Sequence, residues 1–150
     1  MSQFFQFEAD FVDSLRCIPM QVRLKLDTCG IKLKLPQWFH FTSQERQQLV
    51  ELPCSTPEEI QVYREVLQSL VLKHTGESAT DLAIEAHPAW MNGEIIPIIV
   101  QEQAQEKGLT ITANQWAELS PLQRFVLIKL STSSHENKNF LPAIKEFNLV

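Results

Sequence analysis

Cysteine, histidine and tryptophan are the residues of this chain with chemistry to offer, and Cys17 is the first of them. It sits beside Arg16 in the stretch SLRCIPMQVR. A neighbouring guanidinium and the N-terminal dipole of a following helix would both stabilise a thiolate, which would make Cys17 a reactive thiol. A nucleophile also needs a base and an oxyanion site, and no nucleophile-elbow motif accompanies this one. The competing reading is a small buried hydrophobe at a helix entrance. Cys29 and Cys54 read as packing or capping residues. His40, His74, His87 and His135 are not paired with a second His or a Cys at metal-ligand spacing, so no metal site and no cofactor are predicted. The four glycines are scattered, which argues against a phosphate-cradling loop. The chain is therefore read as not an enzyme.

Two polar loops are the better candidates for a functional surface. HPAWMN offers His87, Trp90 and Asn92, and SSHENKN offers His135, Glu136 and Asn137. An exposed tryptophan anchors an interface, and His and Asn add directional hydrogen bonds around it. The alternative is that Trp90 packs inward and both loops are ordinary turns. The opening FFQFEADFVDSL, with Phe4, Phe5, Phe7 and Phe11, either closes the core or serves as a docking segment.

An internal repeat shows which elements must hold these loops. Setting Gly30 on Gly108, an offset of 78 (108 − 30), aligns Ile18 with Ile96, Pro19 with Pro97, Trp38 with Trp116 and Arg46 with Arg124 without a gap. A rare tryptophan in register with glycine and proline makes coincidence a poor explanation. Taken alone, MQVRLKL alternates like a strand. Its partner PIIVQEQAQEKG is helical in composition, and both copies carry Pro at the start and Gly past the end. Helices are predicted at Pro19–Cys29 and Pro97–Lys107, with Pro19 at the first helical position and Gly30 and Gly108 as left-handed caps. Short extended pieces follow at Ile31–Leu33 and Leu109–Ile111, then short helices carrying Trp38 and Trp116 as core anchors. Thr42 with Glu45, and Ser120 with Gln123, fit capping boxes that open helices at about 43–52 and 121–131. Arg46 and Arg124 should bind nearby carbonyls or carboxylates.

A connecting helix opens at Thr56-Pro57-Glu58-Glu59 and runs to about His74, with Gly76 as its stop. Ile60, Tyr63, Val66, Leu67, Leu70, Val71 and His74 share one face at helical spacing. A C-terminal helix is predicted at about Phe140–Phe147. The fold class is all-α: two related helical units, about 18–52 and 96–130, plus the connecting and C-terminal helices, in one domain over 1–150.

At 150 residues a single domain can bury about 70% of its unfolded surface without a disulfide or metal. The net charge of −5 argues against nucleic acid or an anionic membrane as partner. No apolar run approaches the roughly 20 residues of a membrane span. Three cysteines without a Cys-x-x-Cys pair, and an acidic N-terminus lacking a signal-peptide layout, point to a reduced, cytoplasmic setting.

The stretches FEADFVDSLRCIPM, VRLKLDTCGIKLKLPQW, ERQQLVELPC, HPAW, QWAELSPLQRFVLIKL and SHENKNFLPAIKEF together resemble the nitrate reductase-associated protein family of cyanobacteria. The resemblance runs from Phe5 to Phe147. It implies a small accessory protein linked to nitrate assimilation and to the genes for nitrate reductase and the molybdenum cofactor. The leading reading is a protein that binds nitrate reductase and supports its activity, assembly or molybdenum-cofactor loading. The family has no catalytic motif, so it assigns no catalytic residue here. Two alternatives remain at this point. One is a thiol-dependent enzyme or redox carrier in molybdenum-cofactor handling, built on Cys17. The other is a small regulatory module sensing a nitrogen metabolite.

Overall fold

The computed structural model describes residues 5–8, 18–132 and 137–149. Among them are eight α-helices and one pair of two-residue strands, so the chain is all-α, as the sequence implies. Contacts divide it into two units. One holds Glu8–Ile84; the other holds Phe5–Phe7 and the chain from Glu85 onward.

The first unit opens with α1, Met20–Cys29. Its apparent strand alternation is overridden by a helical stripe: Val22, Leu26 and Cys29 fall at i, i+4 and i+7, and all three are buried. Pro19 is the N-cap rather than the first helical residue. Its carbonyl accepts the Val22 and Arg23 N–H groups at 3.0 Å, while Glu8 Oε2 accepts the Met20 N–H at 3.3 Å. Gly30 ends the helix at φ 77°, donating its N–H to Leu26 O. Strand β1, Ile31–Lys32, then pairs antiparallel with β2, Thr80–Asp81.

β2 is not among the elements expected from the sequence. Two residues carry no periodicity, and their pairing with a segment 50 positions away is a tertiary fact. Gln68, in the helix Pro57–Thr75, extends this pairing: its amide accepts the Ala79 N–H at 2.8 Å and donates to the Ala79 carbonyl at 3.1 Å.

Helices α2 (Leu35–His40), α3 (Ser43–Glu51) and α4 (Pro57–Thr75) complete the unit. The capping box predicted at Thr42–Glu45 forms, and Thr56 with Glu59 makes another at the predicted start of α4. Trp38, Leu49, Tyr63, Leu67 and Val71 are fully buried. The predicted apolar face of α4 thus packs inward, with His74 half-buried at its edge.

The second unit contains α5 (Ile98–Glu106), α6 (Ala113–Glu118), α7 (Pro121–Thr132) and α8 (Phe140–Glu146). Helix α7 is its centre, burying Phe125, Val126, Leu127 and Leu130 and packing against α5, α8 and the turn Ala89–Met91. At the end of α8, Asn148 takes φ 60° and Leu149 N–H reaches back to Ile144 O at 3.0 Å. Phe5 stacks on Phe7 at 5.6 Å and meets Phe147 edge-on at 5.2 Å, so this part of the N-terminal segment closes a core. Phe4 and Phe11 lie outside the described residues.

Positions 78 apart make the same local contacts. The Pro19 and Pro97 carbonyls each accept the third and fourth N–H groups beyond them. Gly30 and Gly108 have φ 77° and 71°. Gln37 Oε1 accepts the Lys34 N–H, and Gln115 Oε1 the Thr112 N–H. Trp38 and Trp116 have no exposed surface. Among the described residues, extended pairing follows only the first of the two glycines. Among the described residues no helix is long and apolar enough to cross a membrane.

Candidate functional site

The HPAWMN loop is held by residues of α6 and α7. Pro88 N-caps the turn Ala89–Met91, as proline does where no N–H is needed. Trp90 is half-buried, edge-on to Phe125 at 5.1 Å. Its carbonyl accepts a bond from Arg124 Nη1 at 3.2 Å. Trp116 Nε1 donates to the Asn92 carbonyl at 2.9 Å, while Asn92 Oδ1 accepts the Glu94 N–H at 2.9 Å. The next residue has to be small: a Cβ on Gly93 would lie 2.8 Å from Arg124 Nη2.

Arg124 organises this arrangement. It is 8% exposed, and its planar fork suits several acceptors at once. Besides Trp90 O, it donates from Nε to Trp116 O at 3.1 Å and from Nη2 to Ala117 O at 3.0 Å. Two of these carbonyls lie at the end of α6, where unpaired carbonyls need donors. Arg46 makes the two equivalent bonds in the first unit, from Nε to Trp38 O at 3.2 Å and from Nη2 to Phe39 O at 2.9 Å. Both arginines bind carbonyls, one of the two outcomes expected of them.

The ionisable groups with displaced pKa values serve structure. Lys25 donates from Nζ to Val50 O at 2.6 Å and Leu52 O at 2.7 Å, capping the end of α3. It also lies over the Tyr63 ring at 5.7 Å. Burial lowers the Lys25 pKa, with the Cys54 thiol opposing the shift. Burial and the neighbouring Cys54 push the Cys29 thiol up to about 12. Burial likewise raises Cys54 to about 11, against the pull of Lys25. Thiols so placed are poor nucleophiles at neutral pH. Arg64 donates to the Cys29 and Gly30 carbonyls at 2.9 and 3.1 Å and pairs with the Asp81 carboxylate.

Glu45 accepts the Thr42 N–H at 2.8 Å, Lys73 Nζ at 3.1 Å and His74 Nε2 at 2.7 Å. Burial alone would raise its pKa, but these bonds hold it down to about 2. These bonds leave His74 hydrogen-bonded at the edge of the core.

Of the six residues proposed for a partner surface, His87 and the Asn92 side chain are exposed and Trp90 is half-buried. His135 and Glu136 lie outside the described residues. Asn137 begins the turn Asn137–Asn139. Cys17 also lies outside the described residues. Among those described, no group of three or more His, Cys, Asp or Glu residues could hold a metal ion. Three exposed isoleucines went unnoticed in the sequence: Ile95, Ile98 and Ile99, at 65%, 72% and 38% exposure. Their signal was available in the helical phase of α5, whose buried residues Val100, Gln103 and Ala104 leave Ile98 and Ile99 to other faces.

Neither the comparison with curated proteins nor that with solved structures gives a match. The sequence model described as "Conserved nitrate reductase-associated protein" matches residues 4–147, nearly the whole chain, and the chain belongs to that family.

Proposed function

We propose that this protein is a non-catalytic, cytoplasmic accessory factor of nitrate assimilation, which binds nitrate reductase and supports its activity, assembly or molybdenum-cofactor loading. Family membership carries this reading. The side-chain chemistry supports it: Lys25, Glu45, Arg46, Arg64 and Arg124 are engaged with backbone carbonyls, helix caps or structural ion pairs. The two halves are duplicated helical units, a proposal supported by the matching arginine–carbonyl contacts. Duplication would free one copy to diversify its surface while the other keeps its packing.

Affinity purification of the tagged protein from cell extract tests the reading, with nitrate-reducing activity assayed in the eluate. Co-eluting activity, lost when free untagged protein competes, is the expected result. An eluate without nitrate reductase protein or activity, from an extract shown to contain both, overturns it.

A further inference from the structure

We propose that nitrate reductase docks on the open face at the start of α5, built from Ile95, Ile98 and Ile99 with the carboxylates Glu94, Glu102 and Glu106. The inference rests on the reductase reading above and adds the surface and its chemistry. Single exposed isoleucines are ordinary on a protein surface. Three within five residues are a patch, because that length of chain spans at most about 18 Å. Ile98 is the most exposed of the large hydrophobic residues described, at 72%. Its counterpart 78 positions earlier, Met20, is 2% exposed. The same helix position is therefore covered by protein in one unit and open in the other.

The border of the patch says what covers it. Glu102 lies one helical turn beyond Ile98 and Ile99, and Glu106 one turn further, so the carboxylates continue the same face. Glu94 precedes Ile95. All three are exposed, and among the described residues none has a cationic partner. A second copy would set acid against acid, and like charges facing each other oppose association. The complementary surface is apolar and bordered by lysine or arginine. A groove lined by Gln101, Gln105 and Thr110 together with Ala104, Leu109 and Ile111 shares this helix, offering amide and hydroxyl groups for directional bonds.

The test titrates purified nitrate reductase with four proteins, reading affinity and salt dependence. They are wild type, the triple variant Ile95→Gln/Ile98→Gln/Ile99→Gln, the charge reversal Glu102→Lys/Glu106→Lys, and a control, Leu35→Gln/Phe39→Gln, which alters exposed apolar residues of the first unit. The expected result is at least a tenfold loss of affinity for the triple variant. The charge reversal should weaken binding most at low salt, and the control should stay within twofold of wild type. The charge reversal keeps the test decisive if the triple variant melts early. Wild-type affinity in both patch variants overturns the docking surface and leaves the reductase reading standing. Wild type that fails to bind overturns that reading and the surface with it. A wild-type dimer that the triple variant abolishes assigns the patch to self-association and overturns the proposal.

Discussion

Helices α1 and α5 begin after a proline, end before a left-handed glycine and share a register, yet their surroundings are opposite. None of the ten residues of α1 is exposed, whereas six of the nine in α5 are. In the first unit α4 packs against α1, and β2 lies against the strand that follows it. A Cβ on Gly30 would meet Ile84 at 2.8 Å, while one on Gly108 would meet nothing within 4 Å. The contrast teaches that the local code for a helix, its caps and its tryptophan-bearing neighbour does not determine what covers it. Cover comes from distant chain, and the first unit supplies it through α4 and β2.

The sharpest way to break this comparison is at the arginines. Arg124→Ala removes a buried guanidinium from three carbonyls, including the one that ties down Trp90. Charge-assisted bonds are worth about 1.5–3 kcal/mol each, and their effects are not additive. A loss of about 3 kcal/mol in urea unfolding is expected. Arg46, half-buried, should cost about half as much when changed to Ala. Equal losses would show that burial does not separate the two.

The glycines give the next largest difference. Gly108→Ala places a side chain at φ 71° in open space and should cost about 1 kcal/mol. Gly30→Ala adds a clash with Ile84 and the Leu82 carbonyl and should cost about 2–3 kcal/mol. Thermal melts of both variants check the order. A Gly108 variant as damaged as the Gly30 variant would mean that α5 is covered after all.

The smallest effect distinguishes the two equivalent helix caps by pH. Glu45 caps α3, but Gln123 caps α7, with its Oε1 accepting the Ser120 N–H at 3.0 Å. The Glu45 pKa lies below its ordinary 4.5, at about 2. Its contribution is therefore complete above about 4.5 and disappears as pH falls through 2, and screening by solvent keeps it below about 1 kcal/mol. The stability difference between wild type and Glu45→Gln should shrink across that window. A difference that stays constant from pH 5 to pH 2 would remove Glu45 as the acid-sensitive cap.

Much of the fold was legible because its signals are local. Proline and glycine mark the ends of α1 and α5, Ser or Thr three residues before Glu or Gln marks the caps, and the tryptophans sit in register. The reading missed what is not local. Pro19 slipped from the first helical position to the N-cap because either place tolerates its missing N–H. β2 escaped because two residues carry no pattern of their own. At the candidate site, Trp90 was read either as an interface anchor or as packed inward; its ring is half-buried against Phe125, and its carbonyl bond to Arg124 joins residues 34 apart and leaves no trace in spacing. The exposure of the isoleucines beside Pro97 escaped because an apolar run does not say which neighbours cover it.

The Gln68 amide has a consequence for how the protein avoids sticking to itself. Leu82 donates to Gly30 O and Thr80 stands opposite Lys32, so residues 80 and 82 direct their backbone groups toward β1. Ala79 and Asp81 direct theirs outward, where another chain could add a strand. Gln68 occupies both backbone groups of Ala79, and Asp81 places a carboxylate, paired with Arg64, on the remaining position. A blocked amide beside a charge is how short edges resist templating and aggregation. The pairing that covers β1 thus ends without offering an edge of its own.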